Sequence, residues 1–319
     1  TAIGYDSNGN QLYFTHKCFA YLSDASICQW FWLVNFSADG DFPASGDSPC
    51  ETLAKNSTSG SHDVIDRRII IIVLAAEISM NNLSFGGMTD PGVVRSVNQD
   101  SYYIDPEGRF FIVADGMGGH AGGQEASQIA TKTIQAHLEE YWNSPLTAGE
   151  LLQEAITAAN EKIIEDQLKN PERQDMGTTL VMAIFRDDGS WYTHIGDSRL
   201  YRFREQKLEQ VTEDHTWVAR AIKMGDLSEE DAKNSPYRHI LFKCLGRRDL
   251  PPVTVSPLDL QSGDSLILCS DGLTEELSDE EISDYLQTGA DCQEIVENLV
   301  AAAKEAGGSD NITVVMVSC

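Results

Sequence analysis

The stretch VADGMGGHAGG, residues 113–123, places five glycines among eleven residues and directly continues the apolar run FFI. This pattern predicts a strand, a glycine-rich turn and then a helix over about residues 124–142. Glycine clusters at such turns often hold phosphate groups, yet Asp115 puts a negative charge at the entrance. Because a carboxylate repels phosphate, the stretch leads us to expect a metal ion between the two.

A dinucleotide-binding turn is the alternative explanation of these glycines. Gly116, Gly118 and Ala121 match the pattern G-x-G-x-x-A after a strand and before a helix. However, Asp115 would face the pyrophosphate, and the helix leads to a second helix after Pro145 instead of the parallel strand that such a unit requires. We therefore favour the metal site.

The composition excludes several classes of partner. The chain has 319 residues, with 50 acidic and 23 basic side chains and a net charge of −27. This balance argues against nucleic acid and anionic membranes as partners, although most of the carboxylates form an ordinary solvated surface. The seven cysteines are widely spaced without a CxxC pair, so we expect a cytoplasmic protein without disulfides or a zinc site.

The chain divides near residue 80. Residues 1–80 are rich in Ser, Asn, Asp and Gly, and we expect a poorly ordered N-terminal extension without a readable function. Its apolar run IIIIVLAA, residues 69–76, is too short to cross a bilayer, which needs about 20 residues, and indicates a buried strand. Residues 81–319 form the predicted main domain, with a charged, helix-like segment at about 214–248.

The main domain mixes strands and helices in an α+β order. SYYI and RFFIVAD flank the turn DPEG and predict a β-hairpin. Two helices follow, the second beginning after Pro145. Further strands are predicted at TTLVMAIF, WYTHIG, SRLYRF, SLILCSDG and NITVVMVS, and further helices at DEEISDYL and CQEIVENLVAAAKEA.

Aspartates recur where the apolar strands end. Asp115 follows FFIVA, Asp197 follows WYTHIG, Asp271 follows LILCS, and Asp310 precedes ITVVMV. Turn chemistry explains one such aspartate, whereas four favour a shared metal site. Carboxylate oxygens without clustered His or Cys favour Mg²⁺ or Mn²⁺, and converging carboxylates hold two such ions about 3.5–4 Å apart. Arg95, before Asp100, either grips a phosphate or forms an ordinary surface ion pair.

These residues resemble the PPM family, the protein phosphatase 2C-like serine/threonine phosphatases. The resemblance rests on six ordered blocks: RSVNQD (95–100), VADGMGGHAGG (113–123), MGTT (176–179), HIGDSRLY (194–201), LCSDGLTEEL (268–277) and GGSDNITVV (307–315). It implies a four-layer αββα sandwich of two antiparallel sheets flanked by helices, with a flap subdomain at about 214–248. The blocks are most similar to the compact bacterial branch, and to cyanobacterial members in particular.

The resemblance also implies roles for the aspartates. Asp115 would bridge two tightly held Mg²⁺ or Mn²⁺ ions, with the carbonyl of Gly116 as a further ligand. Asp271 and Asp310 would hold the first ion, and Asp100 would reach the second through water. Asp197 matches the position that helps to hold a third, weaker ion in bacterial members.

The resemblance implies substrate contacts as well, with one departure. Arg95 would bind the substrate phosphate, and His239 in the flap, like Arg247, either contacts a phosphoprotein or is an ordinary surface residue. Many eukaryotic relatives carry His directly after the Asp-Gly pair, where this chain has Met117. His120 is either a substitute general acid or a structural residue at the start of the helix.

The resulting hypothesis is a monomeric, metal-dependent phosphoprotein phosphatase of bacterial signalling. A water or hydroxide bridging the metals would attack phosphoserine or phosphothreonine directly, and the phosphorylated PII protein is one substrate that the resemblance suggests. The alternative is an inactive phosphatase fold that serves as a regulatory binding module. Its signature would be lost carboxylates, but Asp100, Asp115, Asp197, Asp271 and Asp310 are all present.

Overall fold

A computed structural model describes residues 2–5, 11–14, 83–119, 122–233 and 235–319. The chain forms two compact units, Thr1–Ala75 and Ala76–Cys319. The described part of the first unit is one antiparallel pair of strands, β1 (Ala2–Tyr5) and β2 (Gln11–Phe14). The predicted strand at 69–76, and most of the predicted extension, lie outside the described residues.

The second unit contains two antiparallel β-sheets. Their strands, in chain order, are β3 (Ser84–Asp90), β4 (Asp100–Ile104), β5 (Phe110–Met117), β6 (Gly177–Thr178), β7 (Leu180–Arg186), β8 (Gly189–Ile195), β9 (Arg199–Arg204), β10 (Lys207–Gln210), β11 (Val255–Pro257), β12 (Ser265–Cys269) and β13 (Ile312–Ser318). One sheet has the order β10-β9-β12-β13-β3. The other has the order β11-β8-β7-β5-β4, and β6 pairs with β5.

Helices cover the outer faces of both sheets. In chain order they are α1 (Gly122–Tyr141), α2 (Ala148–Lys169), α3 (Trp217–Met224), α4 (Glu229–Lys233), α5 (Asp271–Thr274), α6 (Asp279–Leu286) and α7 (Cys292–Ala306), with a 3₁₀ turn at Pro171–Arg173. Helices α1 and α2 pack on the sheet that contains β5. Helices α5, α6 and α7 pack on the sheet that contains β13.

The alternation of side chains along β5 explains the layering. Phe110 and Ile112 point toward α1 and α2, whereas Phe111 and Val113 point toward the other sheet, where Leu268 lies in the same apolar cluster. Burial of both faces of a strand produces a continuous apolar run, as in FFIVA. The predicted αββα sandwich is therefore confirmed.

The predicted secondary structure of the motifs is also confirmed. β4 and β5 form the hairpin, closed by the turn in which the Gly108 amide donates to the Asp105 carbonyl. α6 and α7 begin at Asp279 and Cys292 as predicted, after the N-capping residues Ser278 and Asp291. The helix after the glycine turn begins at residue 122 instead of about 124.

The prediction of a helix-like flap segment, residues 214–248, is wrong for much of its length. Thr216 caps the start of α3, and Gly225 ends that helix in the left-handed conformation with φ +77°. After the short α4, the described residues 235–248 contain turns and isolated bridges instead of helix. Leu245 forms a bridge with Thr178 of β6, so the segment returns to the sheet that contains β5.

Candidate metal centre

Asp100 and Asp115 come together because their strands pair. Asp100 begins β4 and Asp115 lies near the end of β5, and the two residues are direct partners in the antiparallel register. Asp100 is 7% exposed. Two carboxylates therefore share one end of the hairpin that the sequence predicted.

Thr179 joins Asp115 to the turn that carries Asp197. The Asp115 amide donates to Thr179 Oγ1 at 2.9 Å, and the Thr179 amide returns a bond to the Asp115 carbonyl at 2.8 Å. The same hydroxyl lies 2.6 Å from Ser198 Oγ, next to Asp197. Gly196 has φ +103°, and a Cβ there would lie 2.6 Å from Thr179 Cγ2, so this approach requires glycine.

Asp271 and Asp310 come from the other sheet. Asp271 begins α5 just after β12, and Asp310 lies just before β13, the strand that pairs with β12. A Cβ on Gly272 would lie 2.1 Å from the carbonyl oxygen of Asn311. The Asp-Gly and Asp-Asn dipeptides therefore lie against each other.

Asp100 connects the two groups of aspartates. Its Oδ2 accepts hydrogen bonds from Thr313 Oγ1 at 2.6 Å and from Ser270 Oγ at 2.8 Å. Thr313 lies on β13 and Ser270 directly precedes Asp271. Two hydroxyls from the side of one sheet thus fix the orientation of a buried carboxylate on the other.

The electrostatics show that the aspartates face one another. Burial raises the pKa of Asp115 well above its usual range, and the charges of Asp100, Asp271 and Asp197 raise it further. Burial also raises the pKa of Asp100 to about 7 and that of Asp197 to about 8, with Asp271 adding to both. The pKa of Asp271 is raised by burial and then by the charge of Asp310. The five aspartates therefore lie close enough for their charges to interact, and we call them the aspartate cluster.

The donor set fits hard divalent cations. Asp100 Oδ1 and Asp271 Oδ1 are buried and have no hydrogen-bond partner among the described residues. Buried polar atoms normally have partners, so these two oxygens have unused capacity to bind a cation. Carboxylate and carbonyl oxygens are the ligands that Mg²⁺ and Mn²⁺ prefer.

Gly116 lies where a backbone ligand is expected. A Cβ at this position would lie 2.0 Å from the carbonyl oxygen of Gly123, and the Gly116 amide donates to the Gln99 carbonyl at 3.1 Å. The glycine-rich turn is thereby packed tightly against the start of α1. Gly116 is itself buried, and a Cβ on Gly123 would lie 2.5 Å from its carbonyl oxygen, so both positions require glycine.

Arg95 lies at the edge of the cluster. Its Nη2 donates to Asp310 Oδ2 at 2.7 Å, and its side chain is 52% exposed. The loop that carries it is held by Asn311, whose Nδ2 donates to the carbonyls of Pro91 and Val97 at 3.0 Å each. Arg95 therefore combines a fixed backbone with a guanidinium that solvent and ligands can reach.

The structure describes only one of the two candidate histidines. His239 lies beside the cluster, where its Nδ1 is 2.9 Å from Glu275 Oε1. Burial raises the pKa of Glu275 to about 7, and the charge of Asp271 adds to this effect. His120 lies outside the described residues. Arg247 pairs instead with Asp249 at 3.3 Å, on a solvent-exposed part of the flap segment.

Sequence reasoning missed four residues of this site. Four residues that contact or position the predicted ligands have no role assigned from the sequence, namely Ser270, Asn311, Thr313 and Glu275. Ser270 and Asn311 adjoin predicted ligands in sequence, which is the only signal that could have pointed to them. Glu275 lies four residues after Asp271, which is a local signal as well. Thr313 carries no such signal, because its contact with Asp100 results from the packing of one sheet on the other.

No helix among the described residues combines the length and the apolar character needed to span a membrane.

Comparisons with known proteins agree with this geometry. The family model for protein phosphatase 2C matches residues 93–311. The chain is 36% identical over 237 residues to the serine/threonine protein phosphatase PstP of Mycobacterium tuberculosis, covering 73% of this chain and 44% of that protein. It is 37% identical over 236 residues to the protein phosphatase PhpP of Streptococcus pneumoniae, covering 72% of this chain and 95% of that protein.

A solved structure shows the same fold with metal. The catalytic domain of the serine/threonine protein phosphatase PstP, in complex with two manganese ions, superposes with a TM-score of 0.65 at 33% identity. The match covers 74% of this chain and 97% of that domain. The chain thus spans less than half of the full-length mycobacterial relative, whereas it covers nearly the whole of the catalytic-domain structure.

Proposed function

The chain belongs to the protein phosphatase 2C family, and from this premise we propose that it is a metal-dependent phosphatase that hydrolyses phosphoserine and phosphothreonine in proteins. The observation that carries the proposal is the cluster of five aspartates, two of which have buried oxygens without a partner among the described residues. An inactive binding module has no need to keep so many mutually repelling carboxylates together.

The residues for holding the ions follow from the donor set. Asp115 and the carbonyl of Gly116 would lie between two ions, with Asp271 and Asp310 on one side and Asp100 on the other. Asp197 is available for a third, weaker ion. When bound, Mg²⁺ or Mn²⁺ ions neutralise the charge of the phosphoryl group. They also lower the pKa of bound water, so that hydroxide becomes available at neutral pH. Ser270 and Thr313 hold Asp100 in a fixed orientation for this purpose.

Arg95 provides the substrate contact in this proposal. Its guanidinium lies next to Asp310 and remains half exposed, so a phosphate approaching the carboxylate cluster would meet it at the entrance. An arginine can bind two phosphate oxygens as a fork and so orient the group for in-line attack. His239 in the flap segment is a further candidate contact, and His120 stays a candidate for the general acid.

The biological setting is also part of the proposal. A phosphorylated protein is the substrate class, with bacterial signalling as the setting. We further propose that the protein acts as a monomer. We also propose a cytoplasmic location, since the four described cysteines are all free thiols.

An assay with a phosphoserine peptide and a colorimetric phosphate ester tests the proposed function. The wild-type chain should release phosphate only when Mn²⁺ or Mg²⁺ is added. Asp115→Asn should lower kcat by at least about 10³-fold, because two ions lose their common ligand, while the circular dichroism spectrum stays that of the wild type. If the wild type shows no metal-dependent turnover, the chain is not a phosphatase.

A further inference from the structure

The hydroxyl of Thr89 lies in the middle of a chain of hydrogen bonds that ends on Asp100. Asn98 Nδ2 donates to Thr89 Oγ1 at 2.8 Å, and Thr89 Oγ1 lies 2.7 Å from Thr313 Oγ1. Thr313 Oγ1 in turn donates to Asp100 Oδ2 at 2.6 Å. Thr89 and Thr313 are direct partners in the pairing of β3 with β13. We call these four residues the Thr89 chain.

The donors of the Thr89 chain all point toward Asp100. An ionised carboxylate only accepts hydrogen bonds, so Thr313 uses its single hydroxyl hydrogen on Asp100 and must accept from Thr89. Thr89 then uses its own hydrogen on Thr313 and accepts from the side-chain amide of Asn98. The Oδ1 of Asn98 accepts from the Asp100 backbone amide at 3.1 Å, which agrees with this orientation. Bonds aligned in one direction strengthen one another, so the loss of one should weaken the rest.

The same hydroxyl closes the loop that carries Arg95. This loop, residues 91–99, runs from the end of β3 to the start of β4. Thr89 lies on the first strand and Asn98 lies two residues before the second, so the bond between them joins the two ends of the loop. One hydroxyl therefore supports both the loop of the candidate phosphate contact and the candidate ligand Asp100.

We propose that Thr89, together with Asn98, is a positioning residue whose hydroxyl holds Asp100 and the Arg95 loop in the arrangement that ion binding and phosphate binding require. The inference rests on the proposed function, which assigns Asp100 to an ion and Arg95 to the substrate. Thr89 acts on Asp100 Oδ2 through Thr313. Asp100 Oδ1, which is buried without a hydrogen-bond partner among the described residues, stays available to an ion or to its bound water.

The alternative is an ordinary pair of threonines that stabilises the sheet. Such cross-strand pairs are common, and a pair of this kind affects stability without acting on metal or substrate. The two explanations differ in what Thr89→Val does, and the variant should remain folded. Asn311 holds the loop by three further bonds, from its Nδ2 to the carbonyls of Pro91 and Val97 and from the Gln99 amide to its Oδ1.

Calorimetric titration with Mn²⁺ and steady-state kinetics with a phosphoserine peptide test the proposal. Thr89→Val keeps the shape of the side chain and removes the hydroxyl. Thr89 is one bond further from Asp100 than Thr313 is, so Mn²⁺ affinity should fall by about three- to tenfold, less than the loss typical of a direct supporting bond. At saturating Mn²⁺, KM should rise by about threefold or more while kcat changes little. Thr89→Ser keeps a hydroxyl and should restore both quantities.

Double-mutant cycles show whether Thr89 acts through the chain. In Mn²⁺ affinity, Thr89→Val combined with Thr313→Val should cost little more than Thr313→Val alone, because the link to Asp100 is already broken. In KM, Thr89→Val combined with Arg95→Ala should likewise cost little more than Arg95→Ala alone. Asn98→Ala removes the first donor of the chain without altering a strand, and it should change Mn²⁺ affinity and KM in the same direction as Thr89→Val.

A matched control and the possible outcomes separate this inference from the proposed function. Thr193→Val removes a buried strand hydroxyl that donates to the Thr254 carbonyl at 2.9 Å, and it should change neither quantity. Thermal unfolding identifies the folded variants. If Thr89→Val keeps the wild-type Mn²⁺ affinity and KM, if its effect adds fully to that of Thr313→Val, or if Thr89→Ser is equally impaired, the positioning role is refuted and the aspartate centre stands. If the wild type binds no Mn²⁺, both proposals are wrong. If it binds Mn²⁺ without turnover, the proposed function fails, while the cycle in Mn²⁺ affinity still decides whether Thr89 positions Asp100.

Discussion

Asp100 lies directly opposite Asp115 in the pairing of β4 with β5, so two carboxylates face each other at one end of the hairpin. Like charges directly opposite in a sheet are destabilising. Burial raises the pKa of both groups, and the charge of Asp100 adds to the rise at Asp115. The native fold thus retains an unfavourable arrangement that a cation would turn into a favourable one.

Divalent ions should therefore raise the melting temperature of the protein. A ligand at 100 times its dissociation constant contributes about 2.7 kcal/mol to the free energy of unfolding. Calorimetry with Mn²⁺ and with a chelator should show this gain in the wild type, whereas Asp115→Asn should show little of it. An equal gain in the variant would mean that the ions bind elsewhere.

The stability of the metal-free protein should fall as the pH rises from about 4 to about 7. Burial raises the pKa of Asp100 from 3.8 to about 7, so in this window the folded state keeps a proton that the unfolded state has lost. The stability that this proton provides is complete below the pKa of the unfolded state and is lost as the pH rises to the pKa of the folded state. Relative to Asp100→Asn, which cannot titrate, the wild type should lose on the order of a few kcal/mol. The free energy of unfolding is measured with urea in the presence of a chelator. If it changes with pH in the same way in the wild type and in Asp100→Asn, the raised pKa does not belong to Asp100.

Removing a hydroxyl that holds Asp100 should weaken metal binding without removing a ligand. Thr313→Val deletes the donor at 2.6 Å from Asp100 Oδ2. Loss of such a supporting bond typically lowers metal affinity by about 10–100-fold. Mn²⁺ titration measures the change. Thr131→Val removes an equally buried hydroxyl on α1, bonded only to the Ser127 carbonyl in the described structure, and should leave the titration unchanged.

Substitution of Arg95 should act mainly on substrate binding. Arg95→Ala removes the exposed guanidinium and should raise KM for phosphopeptides by about tenfold, which corresponds to about 1.4 kcal/mol. Arg95→Lys keeps the charge but loses the fork, so its KM should be intermediate. Arg202 on β9, whose side chain pairs with Glu209 and Asp259, provides the control when it is replaced by alanine. An unchanged KM in Arg95→Ala would exclude the phosphate contact.

The glycines of the turn should differ sharply in their tolerance of a methyl group. A Cβ on Gly116 would lie 2.0 Å from the Gly123 carbonyl oxygen, whereas a Cβ on Gly119 would meet nothing within 4 Å. We expect Gly116→Ala to lower the free energy of unfolding by at least about 1–3 kcal/mol and to abolish metal binding. Gly119→Ala should behave as the wild type in chemical unfolding. Similar losses in both variants would show that the turn as a whole is intolerant.

The sequence predicted the elements whose pattern is local. The hairpin of β4 and β5, the capped helices α6 and α7 and the closing strand β13 all have continuous apolar or periodic segments, and these predictions are confirmed. The roles of the aspartates stay predictions, although the structure brings the residues together. The sequence shows that these aspartates recur at strand ends, because each apolar run stops where a polar residue follows.

Elements that depend on distant partners were not predictable. β3 has no apolar run, because Gly86 and Gly87 leave room for close approach: a Cβ on Gly86 would lie 2.6 Å from the backbone of Gln293 on α7. Helical composition in the flap segment suggested a longer helix, but Gly225 ends it. The association of Glu275 with His239 depends on how that segment folds back, which no local pattern encodes.

The hydroxyl of Thr313 spans the interface between the two sheets, since it lies on β13 and donates to Asp100 on β4. A slip of one sheet against the other by even an ångström would break this bond, while most of the apolar contacts between the sheets would survive. Substitutions in the apolar layer far from the aspartates should therefore reduce turnover before they unfold the chain. In related sequences, residues of that layer should covary in pairs that keep the alignment of the sheets.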